Sequence, residues 1–232
     1  MKKRIAIATI KSWNIKNAYK FKELYKDKYE VIILTNKEKF TEVTIAMFNP
    51  EWIFYPHWSW LIPPEIYNKY NCALFHITDL PFGRGGSPLQ NLIFRKIYNT
   101  KISAIKVVKE IDAGSVYLKE NLSIKNGSAG EIFNKASKII FFKMIPFIID
   151  KNPLPVEQRG EIITFRRRKL EESELKLANI ESLEDFYNFI RMLDGEGYPK
   201  AFLKFNKFKI EFSKAQLKLN KLAGRFEITE EE

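Results

Sequence analysis

Four short apolar runs, the first two separated by a stretch with helical spacing, restrict this chain to a layered fold built on a parallel sheet. Ile5, Ile7 and Ile10 mark the first run, over residues 3–10. EVIIL at 30–34, EWIFY at 51–55 after Pro50, and CALF at 72–75 follow. Between the first two, Ala18, Phe21, Leu24 and Tyr25 recur at three- and four-residue intervals, which predicts a helix over 13–29. Strand, helix and strand within about 30 residues describe a βαβ unit, whose crossover makes the flanking strands parallel. The expected class is therefore α/β: a Rossmann-like, mostly parallel twisted sheet with helices on both faces. A small C-terminal α+β extension is expected after it.

Pro63-Pro64 introduces a short helix over 64–70. ITDLPFGRGGSPLQ at 77–90 reads as loop, because Pro81, Gly83, Gly85, Gly86 and Pro88 disfavour regular elements. Helical spacing resumes over 89–99. Strands are expected at 101–109 and 115–122, broken by the turn Asp112-Ala113-Gly114. A long amphipathic helix is expected over 128–149, with Ser128 as its cap and Glu131 three residues on. Pro153 and Pro155 end that helix and set a boundary between residues 1–152 and 153–232. The second part reads as a helix over 182–193, a hairpin at 202–212 around Asn206-Lys207, and a frayed ITEEE tail.

The chain carries 39 basic and 28 acidic residues among 232, a formal charge of +11. That balance favours polyanionic partners such as RNA, nucleotides or phosphorylated molecules. One cysteine excludes a disulfide framework or a Cys-rich zinc site, and two histidines exclude most His-rich metal sites, so no metal is expected. No apolar run approaches the ~18 residues of a membrane span. The stretch 5–10 is short for a signal-peptide core, so the expected compartment is the cytoplasm.

His76 stands at the end of a buried strand, where open α/β sheets bind ligands. A lone histidine there is usually a strand cap. The adjacent Thr78, Asp79 and GRGG loop point instead to function. Asp112 alone is a turn former, but paired with His76 it would fix the imidazole tautomer and support a general base. Gly83–Gly86 with Arg84 offers backbone amides and a charged fork to a phosphate, yet fits neither common nucleotide pattern. The aromatics of HWSW (His57, Trp58, Trp60) are either core or a platform for a flat heterocycle. Arg166-Arg167-Arg168 reads as a solvated face or a phosphate contact.

LFHITDLPFGRGGSPLQNLI followed by IDAGSVYLKENLSI resembles the formyltransferase superfamily that uses 10-formyltetrahydrofolate. There a strand ends in Asn-x-His, followed by Ser-Leu-Leu-Pro, Arg-Gly-x-x-Pro-Ile-Gln and a later Asp-x-Gly turn. His76, Leu80-Pro81, Arg84-Gly85, Pro88-Leu89-Gln90 and Asp112-x-Gly114 fall in that order. The match is specific over about residues 50–125. The C-terminal FRRR and YPKAF stretches are also similar to the family. Two positions depart from it: Leu74 replaces the asparagine that helps hold the formyl oxygen, and Thr78-Asp79 replace the first two residues of the serine-led loop.

The resemblance implies a catalytic domain over 1–152 and a substrate- or dimer-forming region over 153–232. It implies 10-formyltetrahydrofolate as co-substrate, with His76 and Asp112 catalytic. His57, Trp58, Trp60, Leu80, Arg84, Gly85 and Gly86 would face the co-substrate. Thr78, Asp79 and Gln90 would face the acceptor. The first choice of acceptor is the primary amine of a nucleotide-linked amino sugar, because C-terminal extensions in that class vary in length. Two alternatives stay open: a methionyl-tRNA formyltransferase-like enzyme with a tRNA partner, and a folate- or nucleotide-binding protein with degenerate catalysis. The C-terminal strands offer a surface for a homodimer.

Overall fold

A computed structural model of the protein describes residues 2–231. Its compact units interleave along the chain. The first comprises residues 1–85, 100–122 and 134–164, and the second 86–99, 123–133 and 165–232. The expected boundary at 152–153 falls inside the third segment of the first unit.

The first unit is organised by a six-stranded sheet. Its strands are β1 (Lys3–Ala8), β2 (Tyr29–Leu34), β3 (Trp52–Pro56), β4 (Asn71–His76), β6 (Asn99–Lys106) and β7 (Val116–Ser123), in the order β2-β1-β3-β4-β6-β7. β1 pairs in parallel with β2 and β3, and β3 with β4, while β4 and β6 are antiparallel. Ile5, Ala6, Ile7, Ala8, Ile53, Phe54 and Tyr55 are fully buried. Central strands covered on both faces read as continuous apolar runs, which is the pattern the sequence carries.

Helix α1 (Ser12–Leu24) buries Asn14, Asn17, Ala18 and Phe21. It stops five residues short of the predicted end. Tyr29 already belongs to β2, opposite Lys3. The helical spacing of Phe21, Tyr25 and Tyr29 instead builds an aromatic cluster with centroids 4.7–5.9 Å apart. The Tyr29 hydroxyl donates to Asp150 at 2.9 Å. The sequence reading missed α2 (Glu42–Phe48), which Thr41 caps by accepting from the Thr44 amide at 3.1 Å. The helix predicted at 64–70 is the single turn α3 (Pro64–Tyr67).

Two further expectations need correction. The glycine-rich stretch is not all loop. Residues Phe82–Gly85 form β5, which pairs with the short β8 (Ile163–Phe165), whose Ile163 and Thr164 lie in the same unit. Positive φ at Gly83 and Gly85 is what an ordinary side chain would resist there. The long helix is also interrupted. α5 (Ala129–Ile139) widens into a π turn at Ile140–Met144 before α6 (Ile145–Lys151). Pro146 has no N–H for the Phe142 carbonyl, and its ring crowds that turn, so the preceding turn widens. The Ile145 amide bonds to the Ile140 carbonyl. The capping box at Ser128 and Glu131 forms as expected, with bonds of 2.8 and 3.3 Å.

The second unit contains α4 (Pro88–Phe94), α7 (Leu183–Arg191) and an antiparallel sheet. The sheet's strands are β9 (Ala201–Phe205), β10 (Phe208–Lys218) and β11 (Lys221–Glu230). Ser182 caps α7, and Phe186 meets Phe212 edge-on at 5.9 Å. Arg191 is 1 % exposed, donates to the Ile124 and Gly127 carbonyls at 3.0 Å each, and lies over the Tyr98 and Tyr187 rings. Of the tail expected to fray, residues 228–230 belong to β11, and residue 232 lies outside the described residues. The arginine run is not simply solvated: Arg166 forks onto Glu172 at 2.7 and 2.9 Å, and the half-buried Arg168 covers Phe94. Among the described residues no helix is long and apolar enough to cross a membrane.

Candidate active site

His76 is the last residue of β4, opposite Ser103 of the antiparallel β6 and one residue past Phe75, which faces Pro56 at the carboxyl end of the parallel β3. The imidazole is 7 % exposed and Asp112 8 %. Nδ1 lies 3.4 Å from Asp112 Oδ2, and Nε2 lies 2.8 Å from the Gly83 carbonyl. Each ring nitrogen therefore faces an acceptor. A neutral tautomer, with one N–H, satisfies only one of them.

Asp112 is held by its backbone and by neighbours other than His76. Its φ of 54° is left-handed, which Asp tolerates better than most residues. The Gly85 amide donates to its carboxylate at 2.9 Å. Gln158 Nε2 bridges the carbonyls of Asp112 and Gly114 at 2.8 Å each, and Arg84 grips Gln158 Oε1 at 2.8 and 3.1 Å. Gly114 sits flat against β6, where an added Cβ would stand 1.7 Å from the Lys106 carbonyl oxygen. Sequence reading missed Gln158, since a lone glutamine in an irregular stretch carries no signal. Replacing it with leucine should lower kcat about 10²-fold by letting the turn drift. Steady-state kinetics with an unchanged kcat would show that the turn holds without it.

The structure distributes the other expected site residues unevenly. Arg84 and Gly85 lie in this network, bonded to Gln158 and Asp112 respectively. Asp79 is clamped by Lys101 at 2.9 Å and by Lys119. Burial opposes its ionisation, but the two ammonium groups hold its carboxyl below the usual range. Thr78 is fully buried, with its hydroxyl 3.5 Å from the Gly83 carbonyl and its own carbonyl accepting from Ser103 at 2.7 Å. Leu80 is fully buried. Gln90 and Gly86 belong to the second unit. There Gln90 donates to the Met192 carbonyl at 3.1 Å, and Gly86 packs on the Arg167 backbone. Burial pushes the Cys72 thiol up to about 12, so it is no nucleophile at neutral pH. Among the described residues no group of three His, Cys, Asp or Glu is placed to hold a metal ion.

An aromatic wall forms in the first unit. Trp58 meets Trp60 at 4.7 Å and Phe40 at 5.3 Å, and His57, at φ 57°, meets Trp13 edge-on at 5.8 Å. Trp58 and Leu74 pack on one apolar cluster with Tyr55, Ile62 and Val107. The Trp58 indole N–H is buried without an acceptor.

Against known proteins, the family model described as the C-terminal domain of methionyl-tRNA formyltransferase matches residues 170–229. A solved structure named methionyl-tRNA formyltransferase, from Clostridium thermocellum, is 54% identical over 98% of this chain and 99% of that one, with a TM-score of 0.94. The chain belongs to the formyltransferase family. Methionyl-tRNA formyltransferase of Bacillus cereus (strain B4264) is 28% identical over 164 residues, 68% of this chain and 52% of that protein. The chain thus spans about half the length of the curated relatives it matches. A sugar N-formyltransferase from Shewanella sp FDAARGOS_354, 14% identical with a TM-score of 0.69 over 88% of this chain and 93% of that one, shares the fold.

The departure at Leu74 has a structural setting. Leu74 lies between Tyr55 of β3 and Ile105 of β6 and packs on the apolar cluster. Four polar side chains nearby in the sequence could stand in for the asparagine: Thr78 is buried, and the Asn91 amide donates to the carbonyls of Gly86, Ser87 and Arg166. His57 lies against Trp13, and Ser59 is exposed. Leu74→Asn would put an amide among apolar neighbours and should cost about 2 kcal/mol of stability without raising kcat. A rate gain in that variant would show that the asparagine's job is left undone in the present chain.

Proposed function

We propose that this chain transfers a formyl group from 10-formyltetrahydrofolate to the amine of methionyl-tRNA. What carries the choice of acceptor is the 54% identity, over almost the full length of both chains, to a protein named methionyl-tRNA formyltransferase. This reading replaces the amino sugar favoured by sequence alone, for which similarity of fold at 14% identity is the support. The basic balance of the chain suits a polyanionic acceptor.

The residues fit the co-substrate. His57, Trp58 and Trp60 offer flat apolar surface, and the unpartnered Trp58 N–H is a donor for which a ligand carbonyl or ring nitrogen would be the acceptor. When bound, 10-formyltetrahydrofolate would supply the formyl carbon and leave as tetrahydrofolate, protonated at the nitrogen that carried the group. His76 takes the proton that the attacking amine loses, with Asp112 holding Nδ1–H so that Nε2 is the basic atom. For that step Nε2 leaves the Gly83 carbonyl, whose present place marks where the amine would stand. Arg84 and Gln158 act behind Asp112 by keeping its turn in position.

The test offers 10-formyltetrahydrofolate together with methionyl-tRNA and a panel of nucleotide-linked amino sugars, and reads each acceptor by mass spectrometry. Formyl-methionyl product is expected. Formylated sugar with unmodified tRNA would return the assignment to the sugar class.

A further inference from the structure

We infer that Lys119, helped by Lys101, is a positioning residue for the His76–Asp112 couple: it grips Asp79 and so fixes the loop that presents the Gly83 carbonyl and the Gly85 amide to that couple. The inference rests on the reading of His76 as the base. Every residue in it belongs to the first unit.

The loop leaves β4 at His76 and returns as β5. Its far end supplies a neighbour to each member of the couple. The Gly83 carbonyl lies 2.8 Å from His76 Nε2, and the Gly85 amide donates to the Asp112 carboxylate at 2.9 Å. A shift of the loop therefore disturbs both residues at once. The backbone there does little to stiffen itself, since Gly83 and Gly85 restrict φ and ψ less than any other residue type. It needs an anchor from outside.

β6 and β7, which carry neither reacting group, provide one. Lys101 and Ser103 stand two residues apart on β6 and so share a face. The Ser103 hydroxyl donates to the Thr78 carbonyl at 2.7 Å and accepts from the Leu80 amide at 3.4 Å. Lys101 meets Asp79 Oδ2 at 2.9 Å. Lys119 of β7 does more: its ammonium donates to Asp79 Oδ1 and also to the Leu80 carbonyl. One cation thus ties a side chain to the backbone of the next residue at the tip of the loop. There the Phe82 amide closes a turn onto the Asp79 carbonyl at 3.2 Å, and the fully buried Leu80 seats that turn.

The effect of such a clamp is geometric. Ion pairs open to solvent add little to stability, and Asp79 and Lys101 are both partly exposed. A displacement of about 1 Å near reacting groups nonetheless costs about 10²-fold in rate when it is fully felt. Asp79 also stands at one of the two places where the chain departs from the loop it resembles, so the carboxylate that the lysines grip is this chain's own addition.

The test uses the full chain and Lys119→Met, which keeps an apolar stem and removes the charge. Transfer from 10-formyltetrahydrofolate to methionyl-tRNA gives kcat and KM. Imidazole 1H–15N spectra at one pH report on the ring, and with two histidines in the chain a His57→Gln sample assigns His76. In Lys119→Met, kcat should fall about 10-fold while KM stays within about twofold, and the His76 ring signals should shift. Lys119→Arg, which keeps donors for both acceptors, should recover the rate and the signals. Lys101→Met, at the more exposed end of the clamp, should show the same pattern at about 3-fold. Unchanged kcat and unchanged His76 signals in Lys119→Met would overturn the proposal. So would a raised KM at constant kcat, which would make the lysines acceptor-binding groups. If the wild type transferred no formyl group, the proposed function would fall, and the His76 signals alone would decide whether the clamp positions the imidazole.

Discussion

His76→Ala should lower kcat/KM for formyl transfer by about 10²–10⁴-fold while the protein unfolds at an unchanged denaturant concentration. The magnitude is that of a lost general base. Stability should be little affected because the imidazole's two contacts are local, to the Gly83 carbonyl and to a carboxylate that keeps its own Gly85 donor. A variant that retained the wild-type rate would mean that His76 is a strand cap and that the reacting groups lie elsewhere.

The second large effect is expected at Gly114. A methyl group there would stand 1.7 Å from the Lys106 carbonyl oxygen and 2.8 Å from its carbon. Neither is the end of a flexible side chain. β6 cannot yield easily, because the Lys106 amide is bonded to the Ser115 carbonyl at 2.8 Å, and Gly114 itself accepts from Gln158. Gly114→Ala should therefore cost about 3 kcal/mol of stability through overpacking. It should also slow transfer by about 10²-fold, because the turn that presents Asp112 must shift. Denaturant titration and kinetics on the same preparation separate the two losses. A wild-type midpoint together with a wild-type rate would mean that the turn has slack which the packing does not show.

The sheet was legible because its central strands are buried on both faces, so continuous apolar runs marked β1 to β4 without any need for periodicity. The helix boundaries were less so. Phe21, Tyr25 and Tyr29 have helical spacing, but tertiary stacking uses the last of them in a strand. Pro146 lies inside an otherwise amphipathic run, and its consequence, a widened turn, depends on packing around it. β5 was hidden because glycines at positive φ look like loop until a partner strand is found more than 70 residues later. The short motifs placed His76 and Asp112, which the structure brings together, but could not separate contact from support. Arg84 and Gly85 match a binding pattern and also hold Asp112. Gly85 does so through its own amide and Arg84 through Gln158, which no local pattern marks.

The most direct test follows tetrahydrofolate release and acceptor formylation together, in one reaction containing the protein, 10-formyltetrahydrofolate and methionyl-tRNA. The account predicts one formyl-methionyl-tRNA for each tetrahydrofolate released, with both signals lost in His76→Ala. Tetrahydrofolate released without formylated acceptor would contradict it and show that the His76–Asp112 centre hands the formyl group to water.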